Sequence, residues 1–256
     1  MQQKYQTFRE QYPLFIYKDY HVERKEETVL VTYDFEVPGL TSFHPTLEFP
    51  IRPDTLMNDP TGPMARQILF SIGMVELISY WKIACPPRVE IRCGNLKEEQ
   101  ISFWLDLYYG GLGEFFYINN IPAKKEDFMI IEIAPDTEVT SNVEAEEAPF
   151  HASGKTLIPI GGGKDAVVTV EHLKGKGHNV AFGINPTKAS LDTMDIGGFG
   201  QEDRFIVKRT LDPEMLRLNQ EGYLNGHTPF SALLAFVAYY GAYVLGATHI
   251  ALSNEA

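Results

Sequence analysis

A short segment in the second half of the chain restricts the fold more than any other feature. Residues 156–160 are an apolar run of strand length, three glycines follow at 161–163, and a helical pattern starts at Asp165. Glycine amides can approach an anion closely, and the first turn of a helix presents N–H groups and the positive end of its dipole at the same point. The segment therefore predicts a strand, a loop and a helix that together hold phosphate groups.

The loop sequence GGGKDA (161–166) narrows the nucleotide chemistry. It matches neither the GxxxxGK[ST] of a Walker A motif nor the GxGxxG of a dinucleotide motif, since its lysine precedes an aspartate. It resembles the PP-loop of ATP pyrophosphatases, SGGxDS, in two glycines and the aspartate, while Gly161 and Ala166 replace the two serines. An aspartate beside phosphates predicts a bridging Mg²⁺, with Asp165 as the metal ligand. The alternative is a glycine-rich turn in a generic α/β unit.

The PP-loop resemblance implies a reaction and further contact residues. Enzymes of that type split ATP to AMP and pyrophosphate while a substrate oxygen is adenylylated, so ATP and Mg²⁺ are the implied cofactors. The base is expected near the carboxyl ends of the first two strands, where ligands of parallel sheets generally bind. The residues predicted to bind ATP are Gly161, Gly162, Gly163, Lys164 and Asp165 in the loop, and Phe182, Gly183 and Asn185 beyond it.

The pattern around the loop predicts an α/β fold in two parts. After residue 150, short strands alternate with helices, which predicts a C-terminal PP-loop domain (151–256) with a parallel sheet flanked by helices. The predicted strands of this part are 156–160, 180–184, 204–208 and 249–252, and its helices start at Asp165, Pro213 and Pro229. Thr228 is the predicted N-cap of the last helix.

Residues 1–150 predict an α+β domain, as the part that recognises the substrate. Its predicted strands are 28–37, 88–93 and 128–133, and its predicted helices are 63–80 and 97–109. In the first of these strands, apolar residues alternate with polar ones from Val31 to Val37, which predicts one face toward the core. Between 132 and 147 acidic residues occur without any Lys or Arg. This composition predicts a solvated linker and places the domain boundary near residue 150.

Composition argues against some classes of function. With 34 acidic and 22 basic residues, the net charge is −12, which argues against a nucleic-acid partner. Cys85 and Cys93 form neither a disulfide framework nor a zinc pattern. The N-terminus lacks the apolar core of a signal peptide, so a cytoplasmic protein is expected. The uncharged run 229–247 is rich in Ala, Gly and Tyr, which predicts a helix buried against the sheet rather than a membrane span.

Four segments resemble one narrower family. They are 68–82 (ILFSIGMVELISYWK), 161–174 (GGGKDAVVTVEHLK), 207–236 and 247–256 (ATHIALSNEA), and LNGHTPFSA within the third is the most specific. Together they resemble the ATP-dependent UDP-N-acetylmuramoyl-L-alanyl-L-glutamate epimerases of the MurL type. The resemblance implies a small-molecule substrate, UDP-MurNAc-L-Ala-L-Glu, whose terminal L-glutamate is inverted during peptidoglycan synthesis. Members of that family are much longer, so this chain is expected to be a fragment, to lack residues beyond 256 or to be naturally short.

The implied reaction needs an activated carboxyl group and two proton-transfer groups. Adenylylation of the glutamate α-carboxyl would make the α-proton more acidic, so that a base removes it and a proton returns from the other face. His227, in the LNGHTP turn, and Glu255, after the last strand, are the predicted catalytic residues. The residues predicted to bind substrate are Glu76, Lys82, Lys208, Arg209 and Asn225.

Ordinary structural roles are the alternatives for these residues. His227 could cap its turn, Lys208 and Arg209 could be surface charges, and Asn225 could be a turn former. Two other functions also stay open. One is a PP-loop enzyme that adenylylates a different acceptor, and the other is a nucleotide-binding module without turnover, which the replaced serines favour. The sequence leaves the oligomeric state open.

Overall fold

A computed structural model describes residues 2–52, 55–135 and 149–253, which form a mixed α/β fold around one large sheet. The helices are α1 (Gln2–Gln11), α2 (Pro63–Trp81), α3 (Glu98–Gly111), α4 (Gly113–Ile118), α5 (Lys164–Leu173), α6 (Lys188–Gly197), α7 (Pro213–Gln220) and α8 (Phe230–Leu245). The strands are β1 (Leu14–Arg24), β2 (Thr28–Val37), β3 (Thr41–Phe43), β4 (Thr46–Pro50), β5 (Arg88–Ile91), β6 (Ile130–Ile133), β7 (Thr156–Pro159), β8 (Asn179–Ile184), β9 (Arg204–Thr210) and β10 (His249–Ile250).

The described strands share one sheet that crosses from one half of the chain into the other. Its order is β10-β7-β8-β9-β4-β2-β1-β5-β6, with β3 paired to β2. β10, β7, β8 and β9 run parallel, as predicted for the second half. β9 then pairs antiparallel with β4 of the first half. The boundary near residue 150 stays a prediction, and most of the predicted acidic linker lies at 136–148, outside the described residues.

Helices cover both faces of the parallel strands. Successive side chains of a strand point to opposite faces. Leu157 of β7 therefore packs in the main core beside α8, whereas Ile158 packs in a smaller core with Val170 of α5 and Met194 of α6. Strands that are buried on both faces need apolar residues at nearly every position. This requirement explains why β7 and β8 could be predicted from short apolar runs.

α2 is the central helix of the main core. It packs against β1, β2 and α8, and most of its residues are buried. The alternate residues of β2 that were predicted to face the core are buried as well. α2 and β1 approach closely at Gly73, where a Cβ atom would lie 2.0 Å from the Oη atom of Tyr17. The Tyr17 ring cannot move aside easily, because it is fully buried and stacked on Phe70.

Some elements differ from the predictions. α8 begins at Phe230 with Pro229 as its N-cap, so the predicted cap at Thr228 is wrong. The Thr228 hydroxyl lies instead 3.4 Å from the hydroxyl of Ser79. Elements α1, β1, β3, β4, α4 and α6 were not predicted. β1 shows the reason, since three consecutive buried residues (15–17) are followed by mixed exposure, which matches neither strand nor helix periodicity.

The uncharged segment 229–247 forms α8 within the core. The helix packs on α2 and β7, as predicted for a helix held against the sheet. Among the helices that the structure describes, none has the combination of length and apolarity that crossing a bilayer requires.

Gly73→Ala is expected to lower the free energy of unfolding by about 1–3 kcal/mol, because the added methyl group has no space beside Tyr17. Gly110→Ala is the matched control. Gly110 also lies in a helix, but a Cβ atom there meets nothing within 4 Å, so stability should stay equal or rise by up to about 1 kcal/mol. Urea unfolding measures both variants. Equal effects of the two substitutions would contradict the tight packing of α2 on β1.

Candidate active site

The carboxyl ends of β7, β8 and β9 meet at one edge of the sheet, because the three strands are parallel. We call this the carboxyl edge. β7 leads into the glycine loop, β8 leads to Asn185, and β9 carries Arg209 near its end. Pro159 of β7, Phe182 of β8 and Phe205 of β9 are in register. At that level the outer two strands are about 10 Å apart, since neighbouring strands are spaced by about 4.8 Å.

The middle glycine of the loop allows a close contact with α6. Gly162 has a positive φ of 82°, and a Cβ atom there would lie 2.8 Å from the backbone N of Ser190 in the first turn of α6. Both features require glycine at this position. A Cβ atom at Gly161 or Gly163 would meet nothing within 4 Å, so that side of the loop is open.

The helix that follows the loop has a glycine, Gly163, as its N-cap residue. α5 begins at Lys164, directly after Gly163, and its N-cap makes no side-chain hydrogen bond. α6 differs, since Thr187 Oγ1 accepts a hydrogen bond from Ser190 N at 3.2 Å. The first N–H groups of any helix lack an intrahelical acceptor, and an anion is a favourable partner for them. The local geometry at α5 therefore fits a phosphate group.

Three residues on or directly after β8 were predicted to bind ATP, and they differ in whether they face the carboxyl edge. The Phe182 ring is fully buried in the main core and stacked on Phe205, so it faces away from the loop. Gly183 is buried on the opposite face, beside Met194. Asn185 is engaged by β9, because its Nδ2 donates to Arg209 O at 2.6 Å and its Oδ1 accepts from Arg209 N at 2.9 Å. The Asn185 side chain thus holds the end of β9 in place.

Asp165 lies half-buried in the first turn of α5. No group of three or more His, Cys, Asp or Glu side chains is arranged to hold a metal ion in the ranges 2–52, 55–135 and 149–253. Mg²⁺ at phosphate sites commonly takes only one or two carboxylates, with phosphate oxygens and water as its other ligands. Ser253, the last residue that the structure describes, contacts α5, since its Oγ lies 2.7 Å from Thr169 Oγ1. The predicted catalytic Glu255 lies outside the described residues.

A buried ion pair lies at the end of β9. Arg209 Nε donates to both carboxylate oxygens of Glu76, at 3.1 and 3.0 Å. Arg209 Nη2 also donates to Glu76 Oε1, at 2.8 Å. The side chain of Glu76 is 1% exposed and that of Arg209 is 14% exposed. Arg209 also donates to Ser79 Oγ at 3.3 Å. We call Glu76, Ser79, Lys82 and Arg209 the buried cluster.

Lys82 gives the buried cluster an excess positive charge. The residue is 7% exposed, and its Nζ donates to the backbone carbonyl of Gly226. Burial away from water, and secondarily the nearby charge of Arg209, lowers the pKa of Lys82 to about 8. Among the residues that the structure describes, no carboxylate forms an ion pair with Lys82. Since Glu76 balances Arg209, the described residues provide no carboxylate to compensate the charge of Lys82.

The LNGHTP turn (224–229) covers this cluster. Asn119 Nδ2 donates to the carbonyl of Asn225 at 2.9 Å, and the Asn225 side chain accepts from Gly226 N at 2.8 Å. His227 is exposed, and its Nδ1 lies 2.7 Å from Glu114 Oε2 on α4. The structure thus gathers Glu76, Lys82, Arg209, Asn225 and His227 around one turn.

Lys208 is the predicted substrate residue that the structure does not bring to this group. It precedes Arg209 on β9 and therefore points to the other face of the sheet. There its Nζ lies 3.9 Å from Glu48 Oε2, and its side chain is 71% exposed. A role of Lys208 in substrate binding stays a prediction.

Sequence reasoning did not single out Ser79, Asn119 and Glu114 as parts of this group. A usable signal existed for Ser79. Glu76, Ser79 and Lys82 follow one another at three-residue spacing, which aligns polar side chains along one side of an otherwise apolar helix. Asn119 and Glu114 gave no such signal, because their partners lie more than 100 positions away in sequence.

Comparison with known proteins gives consistent matches. The model of the family described as MurL N-terminal domain matches residues 6–256. Three curated relatives are each named UDP-N-acetyl-alpha-D-muramoyl-L-alanyl-L-glutamate epimerase. The protein of a Micromonospora species is 26% identical over 243 residues, covering 94% of this chain and 52% of the relative. That of Salinispora tropica is 25% identical over 244 residues, covering 94% and 50%.

The third relative, from Xanthomonas oryzae pv. oryzae, is 27% identical over 199 residues, which is 74% of this chain and 40% of the relative. The chain therefore spans about half the length of the curated relatives it matches, or less. No solved structure matches the chain.

The buried amine of Lys82 predicts a pH dependence of stability. Its pKa is about 8 in the folded protein and 10.5 in an ordinary environment. Between these values the unfolded chain binds more protons than the folded protein, so the free energy of unfolding rises with pH. Below about pH 8 the cost of the buried charge is fully present, and it is relieved as the pH rises.

Between pH 7 and pH 9.5, the free energy of unfolding of the wild-type protein should rise by about 2 kcal/mol relative to that of Lys82→Met. Chemical unfolding at both pH values measures this difference. Lys174→Met, at an exposed lysine that pairs with Glu171, is the control and should follow the wild type. A stability difference between wild type and Lys82→Met that is the same at both pH values would contradict the shifted pKa.

Proposed function

This chain belongs to the MurL N-terminal domain family, and from that membership we propose that it is part of an epimerase of peptidoglycan precursors. The proposed reaction inverts the terminal L-glutamate of UDP-MurNAc-L-Ala-L-Glu to D-glutamate. Relatives that are named for this activity match most of the chain. Because the chain spans only about half of their length, we assign the activity to the full-length protein.

The observation that carries this proposal is the position of the buried cluster at the same edge of the sheet as the glycine loop. A reaction that adenylylates a carboxyl group needs ATP and a carboxylate substrate side by side. The loop and the N-terminus of α5 offer backbone N–H groups for phosphate, and the buried cluster, two strands away, offers positive charge for a carboxylate. The proposed function requires both features at one edge.

In this proposal ATP is a substrate whose phosphates bind at Gly161, Gly162, Gly163 and the first turn of α5. The backbone carries most of this binding, because Gly161 and Ala166 lack the hydroxyl groups of the SGGxDS pattern. Asp165 would hold Mg²⁺ together with phosphate oxygens, and the ion would neutralise charge as pyrophosphate leaves. Lys164, exposed at the start of α5, adds positive charge. The base would lie near the end of β8, by Gly183 and Asn185.

The buried cluster and the LNGHTP turn would hold the glutamate end of the substrate. Glu76 keeps the Arg209 guanidinium in one orientation, so that its remaining N–H groups can face a carboxylate. Asn225 sits in the same turn and is fixed by Asn119. His227, paired with Glu114, would move a proton at the α-carbon on one face. Adenylylation would neutralise the α-carboxyl group and make the α-proton removable.

The decisive assay uses full-length protein with ATP, Mg²⁺ and UDP-MurNAc-L-Ala-L-Glu. We expect AMP and pyrophosphate to form, and the product glutamate to have the D configuration. AMP formation only with a different acceptor would favour another PP-loop enzyme. Nucleotide binding without AMP would favour a module without turnover. Either of these results excludes the epimerase.

Asp165→Asn is expected to reduce Mg²⁺-dependent AMP formation at least about 100-fold while leaving the fold intact, because the proposed metal carboxylate is lost. Asp203→Asn is the control, since Asp203 pairs with His178 at the amino end of the same strands. Circular dichroism checks the fold and a coupled assay measures pyrophosphate. Activity of Asp165→Asn equal to that of the control would exclude the metal role.

A further inference from the structure

Lys82 occupies an unusual position for a lysine. It caps the C-terminus of α2, directly beneath the LNGHTP turn, and its amine is buried. Its one side-chain hydrogen bond among the described residues goes to the carbonyl of Gly226, and the next residue in the chain is His227. A buried cation without a carboxylate is costly, and a structural lysine normally reaches water or an acid.

The charged groups around Lys82 leave it as the titratable member of the buried cluster. Arg209, on β9, is bound to Glu76 through three hydrogen bonds and keeps its proton at any ordinary pH. Glu76, on α2, is occupied by the same contact. Glu114, on α4, binds the exposed His227 and not Lys82. Lys82 is therefore the member of the cluster that can exist as a neutral base close to neutral pH.

We propose that Lys82 is a catalytic residue that transfers a proton on one face of the α-carbon of the substrate's terminal glutamate. This inference rests on the proposed epimerase function. A neutral lysine amine has two N–H donors and one lone pair. One N–H is held by the Gly226 carbonyl, which leaves the lone pair free to accept the α-proton.

The step balances without any oxidant or reductant. The lone pair of Lys82 Nζ takes the α-proton, so that an N–H bond forms and the C–H bond breaks. The electron pair of that bond moves into the carbonyl of the adenylylated carboxyl group. A second group, for which His227 is the candidate, returns a proton to the opposite face. Lys82 then loses its extra proton to water and His227 regains one from water. A water molecule finally attacks the adenylylated carboxyl group, so that its bond to AMP breaks and the glutamate carboxylate and AMP are released.

Proton transfer and adenylylation can be measured separately in one reaction. Full-length wild type, Lys82→Met and Lys174→Met are each incubated with ATP, Mg²⁺ and UDP-MurNAc-L-Ala-L-Glu in D₂O. We expect Lys82→Met to lose at least about 100-fold in deuterium uptake at the glutamate α-carbon. Its release of AMP should fall far less, and the exposed-lysine control Lys174→Met should behave as the wild type.

Three results would overturn the inference. Deuterium uptake by folded Lys82→Met within threefold of wild type would exclude Lys82 as the base. Equal losses of AMP release and deuterium uptake would show that Lys82 only holds the substrate. A wild type that forms neither AMP nor deuterated product would remove the proposed function together with this inference, and so differs from a failure of Lys82 alone.

If Lys82→Met does not fold, the pH dependence of the wild-type exchange reaction tests the inference instead. We expect kcat/KM for α-deuterium exchange to rise along a limb whose pKa equals that of Lys82, measured by NMR of the ¹³C-methylated lysine. Added ethylamine should restore part of the exchange in a folded Lys82→Gln variant. A wild-type profile with no limb at the measured lysine pKa would also overturn the inference.

Discussion

The contact between Arg209 and Glu76 is the interaction on which the arrangement of the carboxyl edge of the sheet depends. It joins β9, from the second half of the chain, to α2, from the first half. Buried ion pairs are poor devices for stability, because an apolar pair of similar volume is often as stable, whereas loss of one partner costs about 3–5 kcal/mol. The value of this pair lies in orientation. A bidentate carboxylate fixes the plane of the guanidinium, and Asn185 holds the Arg209 backbone from the neighbouring strand.

The fixed pair also determines the environment of Lys82. Because Glu76 is bound to Arg209, it does not neutralise the amine of Lys82, which caps the end of the same helix. The LNGHTP turn supplies a carbonyl to Lys82 rather than an acid. One positive charge is therefore held in a poorly solvated place, where attraction to an incoming carboxylate is strong and deprotonation is easy. Both properties suit the chemistry of an acidic carbon next to a carboxyl group.

The secondary structure was predictable wherever the hydrophobic periodicity was strong or a proline or glycine marked the end of an element. Alternation along β2, the apolar helix after Pro63 and the strand before the glycine loop were all found from sequence. α6 was not, because only Ser190 and Met194 of its ten residues are buried and its apolar pattern is weak. The contact of Gly162 with that helix therefore could not be foreseen, although the glycine itself was noticed.

Several residues of the candidate site could be predicted from the sequence, but the contacts between them could not. Glu76 and Arg209 came from the family resemblance, yet they are 133 positions apart in sequence, and nothing in the sequence indicates that they touch. The alternation of side chains along a strand would have separated Lys208 from Arg209, had the strand been predicted to continue past residue 208. Phe182 was predicted to bind ATP because it lies near the end of β8, but its ring points into the core.

The continuity of the sheet explains why these contacts resist prediction from either half alone. β9 belongs to the parallel strands of the glycine loop by its β8 side and to the antiparallel strands of the first half by its β4 side. The same strand therefore pairs with the strands of the carboxyl edge and carries Arg209 of the buried cluster. Asn185 stands where the two meet, since it ends β8 and binds the backbone of Arg209. A shift at the end of β8 would therefore also move the Arg209 backbone, because the Asn185 side chain is hydrogen-bonded to it.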